Sequence, residues 1–234
     1  MILGPLGRDV PVLPTGPGMM ARTRIKICGL TRPDDAAQAA ALGADAVGLV
    51  FYPPSSRAVD VTTALAIVAE LPPFVTATAL FLDPDRARVE QVLARIPVGL
   101  LQFHGSESAA FCDSFARPWI KAQGMAGGGD PAAFAAQYRG ARAILVDGHP
   151  PGAPGGSGTC VDWNRLPVER SYRLILAGGL TPDNVATAVR QVRPDAVDVS
   201  SGVETAKGCK DAQLMRQFIE EVRRGDRIAE SESN

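Results

Sequence analysis

No apolar run in this sequence approaches the roughly 20 unbroken residues that a membrane-spanning helix needs, because turns or charges interrupt every one. Net charge is just as scarce: 24 Lys plus Arg stand against 25 Asp plus Glu, a formal balance of -1. Near-neutrality leaves no global field to draw in nucleic acid or an anionic membrane, so neither is expected as a partner and an anionic ligand has to be caught locally. Cys28, Cys112, Cys160 and Cys209 form no CxxC and no Cys/His ligand spacing, which argues against both a zinc site and a disulfide framework. A reducing cytoplasm is the expected setting. Histidine is scarcer still. His104 and His149 are the only two, and His149 falls at the head of a glycine-rich loop, so neither a multi-histidine metal site nor a metal cofactor is expected.

What the sequence does have is a barrel-sized supply of apolar residues, 46% of 234, against 21% charged, which fits one α/β domain. Pro5, Arg8, Asp9, Pro11, Pro14 and Pro17 break up any apolar core that an export signal would require, so residues 1–22 read as a disordered leader. Residues 225–234 read as a polar tail, frayed from Arg227 onward. Between them, in 23–224, eight β-branched runs at 24–28, 46–51, 75–81, 98–102, 119–123, 143–147, 173–177 and 196–200 predict strands. Helical patterns at 34–42, 63–71, 85–95, 106–115, 131–138, 182–191 and 211–223 separate most of them. Thr31, Asp83 and Thr181 each precede a proline-bearing first turn and read as helix caps. Eight such units either close a barrel or form an open doubly wound sheet. Glycine loops after the last two strands favour a parallel (β/α)8 TIM barrel of the phosphate-binding type.

Polar residues gather where strands end, the face on which a barrel carries its active site. Alternation along the first strand puts Lys26 and Cys28 on one face and Ile25 and Ile27 on the other. Cys28 then faces the barrel mouth beside an ammonium, which would favour its thiolate. Pro53 and Pro54 stiffen the turn after the second strand and hold Arg57 near the mouth, where a guanidinium suits a planar carboxylate. Gln102 and His104 share a face at the end of the fourth strand. Asp147 ends an apolar strand, where partial desolvation would raise its pKa and make it a proton donor. The loop that follows, through Gly152, Gly155, Gly156 and Gly158, reads as a lid. Gly178 and Gly179 after strand seven, with Ser200, Ser201 and Gly202 at the end of strand eight, form the expected phosphate cradle of backbone amides and hydroxyls, and Asp198 on that strand is expected to contact the substrate.

Taken in order and spacing, Lys26-Ile27-Cys28-Gly29-Leu30-Thr31, Gly43-Ala44-Asp45, Phe51-Tyr52-Pro53, Ser56-Arg57, His104-Gly105, Gly155-Gly156-Ser157-Gly158, Ala177-Gly178-Gly179-Leu180 and Asp198-Val199-Ser200-Ser201-Gly202-Val203-Glu204 resemble the phosphoribosylanthranilate isomerase family over about residues 25–219. The resemblance implies an Amadori rearrangement without metal or organic cofactor, acting on a small phosphorylated substrate, in a monomer or homodimer. It implies Cys28 as base, Asp147 as acid and Arg57 as the clamp on the anthranilate carboxylate. Phe103, where the family usually has leucine, and the 157–163 segment depart from the pattern and bear on packing and lid contacts. Two other phosphate-binding barrels compete. An indole-glycerol-phosphate synthase would be expected to carry catalytic Lys and Glu at several strand ends, and a ribulose-phosphate epimerase histidines positioned for a metal. A sugar-phosphate sensor without catalysis would need no acid and base at all.

Overall fold

The computed structural model describes residues 22–150 and 160–232. The expected leader, apart from Arg22, and the glycines at 152, 155, 156 and 158 lie outside the described residues.

Eight parallel strands close a barrel: β1 (Arg24–Cys28), β2 (Ala46–Val50), β3 (Thr76–Phe81), β4 (Leu100–Phe103), β5 (Trp119–Gly124), β6 (Ile144–Asp147), β7 (Leu174–Leu176) and β8 (Ala196–Val199). The ring closes where β8 pairs with β1, with Lys26 in register with Asp198. Among the described residues, seven α-helices wrap the outside: α1 (Pro33–Leu42), α2 (Val61–Ala69), α3 (Arg86–Arg95), α4 (Ala109–Asp113), α5 (Pro131–Gln137), α6 (Val185–Val192) and α7 (Ala212–Ser231). A single 3-10 turn at Trp163–Arg165 precedes β7 where a helix would otherwise stand.

Strand alternation produces two cores. Outward residues such as Ile25, Ile27, Leu101, Phe103, Ile144, Val146, Val197 and Val199 pack with the helices in one large cluster. Inward residues Ile120, Ala122, Leu145, Ile175 and Ala177 make a smaller plug inside the barrel. The plug fills the interior, so the polar inward positions Cys28, Gln102, Asp147 and Asp198 sit at or near the C-terminal ends of their strands. A site therefore forms at one end of the barrel.

Most helix caps fall elsewhere than expected. Side chains of Asp60, Asp85, Ser108, Asp130 and Asp211 accept the free first-turn N–H groups of α2, α3, α4, α5 and α7. Asp83 accepts instead from Ser106 N, and Thr31 Oγ1 donates to the Gly208 carbonyl. At α6, Thr181 N donates to Asn184 Oδ1. Long-range partners outbid the local cap in the first two cases.

The expectation of a frayed tail is corrected. α7 runs to Ser231, because Phe218, Ile219, Val222, Gly225 and Ala229 continue one buried face at helical spacing. A Cβ on Gly225 would lie 2.8 Å from the Ala186 carbonyl oxygen and 2.9 Å from Val189 Cβ, so the helix lies tight against α6. Asp226 reaches across to the start of β1 and accepts from Thr23 N at 3.2 Å and from Thr23 Oγ1 at 2.6 Å. The leader boundary shifts too, since Arg22 donates to Asp45 at 2.8 Å.

Asp226→Ala leaves the buried N–H and hydroxyl of Thr23 without this acceptor and should cost about 1–3 kcal/mol of stability. Urea unfolding would read this directly. A loss below about 0.5 kcal/mol would show that the end of α7 contributes only packing.

Candidate active site

At the C-terminal ends of the strands lies a cavity that opens to solvent. Cys28, Arg57, His104 and Asp147 line it, and so do Gly178 and Gly179 after β7 and Asp198, Ser200, Ser201 and Gly202 around the end of β8. The barrel thus brings these residues to one cavity, although they come from strand ends all around the ring.

Cys28 owes its place to two features of β2. Cys28 is in register with Gly48, and a Cβ there would stand 2.6 Å from Cys28 Sγ. Only glycine leaves room for the thiol. Gly29, at φ 74°, then turns the chain away under Arg57, whose Cδ would meet a Cβ at 2.5 Å.

The electrostatics differ from the expectation that Lys26 favours the thiolate. Lys26 Nζ lies 2.8 Å from Asp198 Oδ1 in a buried ion pair, which compensates its charge. Burial is the largest influence on Cys28 and pushes its pKa up; Asp198 pushes the same way, while Lys26 and Lys210 oppose them without prevailing. The resting thiol is therefore protonated. Asp147 moves upward as well, first through burial and then through Asp198, against the pull of His149 and of the backbone N–H groups of His149 and Gly148. The shift is toward the form that can give a proton.

Arg57 is less free than a simple clamp. Its Nε and Nη2 grip Glu204 at 2.8 and 2.7 Å. Glu204 starts a short hairpin, β9 (Glu204–Ala206) with β10 (Cys209–Lys210), whose Lys210 Nζ also reaches Glu204 Oε1 at 2.7 Å. One edge of the guanidinium is thus taken, and the remaining N–H groups of the fork are what a ligand carboxylate can use. Glu204 and Lys210 carry weight here that the sequence reading missed. The only pointer was Glu204 at the end of the motif after β8.

The glycines after β7 take left-handed backbone, φ 80° at Gly178 and 63° at Gly179. Across the same mouth, a Cβ on Gly202 would strike the Leu180 carbonyl oxygen at 1.9 Å, so the two loops approach as closely as glycine permits.

The idea that His149 stands apart on its loop is corrected. His149 is 1% exposed, and its Nε2 lies 2.7 Å from Nε2 of His104. Burial, with His149, Lys121 and Lys26 adding to it, pushes the His104 pKa down to about 3, so its imidazole is neutral at physiological pH. His104 meets Gln102 through Nδ1 and His149 through Nε2.

A closed eight-stranded parallel barrel with a polar cavity at the C-terminal ends of its strands defines the (β/α)8-barrel enzymes, and this chain is one of them. Residues 25–221 match the family described as N-(5'phosphoribosyl)anthranilate (PRA) isomerase. N-(5'-phosphoribosyl)anthranilate isomerase of Nitrosococcus oceani is 53% identical over 201 residues, 86% of this chain and 98% of the relative. The enzyme of the same name from Pseudomonas aeruginosa is 52% identical over 204 residues, 87% and 97% of the two chains. Among solved structures, phosphoribosyl anthranilate isomerase from Thermotoga maritima superposes with a TM-score of 0.78 at 39% identity, covering 86% of this chain and 98% of that one. A phosphoribosyl anthranilate isomerase in complex with reduced 1-(o-carboxyphenylamino)-1-deoxyribulose 5-phosphate gives 0.72 at 35%, with the same coverage. The chain belongs to the N-(5'-phosphoribosyl)anthranilate isomerase family, isomerases of tryptophan biosynthesis.

Asp198→Asn removes a charge that holds the Cys28 pKa up and releases Lys26 from its partner, so the thiol should ionise at lower pH than in the parent. The rate at which iodoacetamide labels the Cys28 peptide, followed by mass spectrometry against pH, checks this. An unmoved midpoint would mean that burial alone sets the thiol.

Proposed function

We propose that the chain converts N-(5-phosphoribosyl)anthranilate to 1-(2-carboxyphenylamino)-1-deoxyribulose 5-phosphate with Asp147 as general acid and Cys28 as general base. The observation that carries this reading is the pairing, in one cavity, of a buried carboxyl held toward its neutral form with a thiol from a different strand. Asp147 gives its proton to the ribose ring oxygen as the C1–O bond breaks, and the anthranilate nitrogen lone pair forms the C1=N iminium. Cys28 then takes the C2 proton. The electrons of that C–H bond become the C1=C2 bond, discharging the iminium to an enaminol. Tautomerisation to the ketone follows, C1 gaining a proton as the 2-hydroxyl loses one.

A protonated resting thiol is compatible with this base. An iminium cation beside Cys28 supplies the positive charge that Lys26, paired with Asp198, does not, and an adjacent cation draws a thiol pKa down. The base is thus formed once the acid step has produced its counter-charge.

The remaining contacts follow the shape of the substrate. The 5'-phosphate fits the facing loops at Gly178–Gly179 and Ser200–Gly202, where backbone amides and serine hydroxyls can surround it. Tyr52, Leu80 and Leu82 offer the aromatic ring an apolar wall near the unused edge of Arg57, which takes the carboxylate. His104 and Asp198 complete the polar lining. Free thiols at Cys28, Cys112, Cys160 and Cys209 support a cytoplasmic setting for this chemistry.

Cys28→Ser and Asp147→Asn should each lower kcat at least ~100-fold, the low end for losing a general acid or base, while binding of the reduced product analogue stays close to parental. The double variant should lose less than the product of the single losses, because both groups act on one reaction coordinate. Steady-state kinetics with isothermal titration of the analogue would decide, and near-parental kcat in either single variant removes that residue from its role.

Arg57→Lys keeps a positive charge but cannot hold Glu204 and a ligand carboxylate at once. KM should rise at least tenfold, or about 1.4 kcal/mol, with a smaller effect on kcat. A change within twofold would sink the clamp.

A further inference from the structure

His104 and His149 meet ring nitrogen to ring nitrogen, with Nε2 to Nε2 at 2.7 Å and ring centroids 4.7 Å apart. Both are buried. The carboxylate of Asp147 joins them, and one ligating atom from each of the three residues lies within 4.8 Å of the other two.

The outer nitrogens determine what the inner ones can do. His149 Nδ1 is 2.6 Å from the Pro150 carbonyl oxygen, which can only accept, so Nδ1 carries a proton and Nε2 is the nitrogen left to present a lone pair to a metal ion. His104 Nδ1 lies 3.3 Å from the side-chain amide of Gln102, whose Oε1 is buried without a partner among the described residues. Turning that amide over sets Oε1 against a proton on Nδ1 of His104. The oxygen then has a donor while the amide NH2 takes its former unpartnered place, and the second Nε2 lone pair turns inward, an arrangement that an ion between the rings has to impose.

In that arrangement two imidazoles, each fixed from behind by an oxygen acceptor, converge with a carboxylate. This is the second-shell pattern that orients histidine ligands on a metal. Two nitrogen lone pairs at 2.7 Å repel unless a proton or a cation lies between them. Zn–N bonds of about 2.0–2.1 Å in a tetrahedron put the two nitrogens roughly 3.3 Å apart. The rings therefore need to part by only about 0.6 Å, on the geometry of such sites. Imidazole with a single carboxylate favours late first-row divalent ions over Mg²⁺ or Ca²⁺. His104 and Asp147 also line the cavity, which gives an ion its way in and leaves a fourth position facing it.

We infer that His104, Asp147 and His149 form a three-ligand site for Zn²⁺ or a similar late transition-metal ion, and that its occupation inhibits the isomerase by taking the carboxyl of Asp147. The inhibitory half rests on the reading of Asp147 as the general acid. The binding half does not.

The test uses the full chain stripped with EDTA. Co²⁺ serves as the spectroscopic probe and Zn²⁺ as the competitor. One equivalent of Co²⁺ should give the visible ligand-field bands of a tetrahedral N/O site, and Zn²⁺ should bleach them. His149→Gln and His149→Asn should each weaken that binding at least tenfold, the lower bound for disturbing even a second-shell partner. Zn²⁺ should inhibit the parent enzyme reversibly, with EDTA restoring the rate. Either His149 variant should keep most of its own metal-free rate at the same Zn²⁺ concentration. Absence of the bands would overturn the site, as would thiolate charge-transfer bands in their place or equal affinity in both variants. Binding without inhibition would overturn the inhibitory half, whereas the metal-free kinetics of Asp147→Asn judge the acid role independently.

Discussion

The Lys26–Asp198 ion pair lies where the barrel closes. β1 and β8 are the first and last strands of the ring, and these two residues face each other across their seam at 2.8 Å with both side chains under a tenth exposed. Burying two charges is expensive, and such a pair contributes little net stability compared with well-packed apolar residues. Its value lies in position. Each charge would be intolerable alone, so the pair ties the register of the closing strands to the electrostatics of the mouth directly above it. Cys28 follows Lys26 by two residues on the same inward face and feels both charges. Barrel closure and thiol reactivity are therefore one structural problem with one solution.

A second buried charge cluster organises the rim next to this seam. Glu204 binds both Arg57 and Lys210, and its carboxyl is held below the usual range because those two cations outweigh the effect of burial. Burial moves Lys210 downward despite the attraction of Glu204. Lys210 Nζ also donates to the Ser200 carbonyl oxygen at 3.0 Å, so a single carboxylate links the loop after β2, the end of β8 and the β9–β10 hairpin. The arginine at the mouth is pre-oriented by a protein carboxylate. That preorganisation limits which edge of the fork a substrate can meet, and it lowers the ordering cost of binding.

Much of the architecture was legible in one dimension because strand alternation is a local property. The inward placement of Lys26, Cys28, Gln102 and Asp147 follows from a period of two, and the barrel turns those inward positions into cavity walls. The C-terminal helix was misjudged for a physical reason. Its last turns look polar because only Gly225 and Ala229 mark the buried stripe there, and small residues signal close packing only once the facing α6 is known. Cap residues were misplaced in the same way: Thr31 and Asp83 could have capped locally, but Gly208 and Ser106, brought near by the fold, took their hydrogen bonds.

The amino-acid sequence by itself determined the strand and helix order, the inward and outward faces, and the set of polar strand ends that share one cavity, since each depends on spacing along a single segment. Tertiary structure decided what those groups are to one another. It set Lys26 against Asp198, so that Cys28 rests as a thiol; it gave one edge of Arg57 to Glu204; and it brought His149 from its loop to His104 across 45 residues. Protonation and pairing are properties of distance and burial. Neither is defined until the chain has closed on itself.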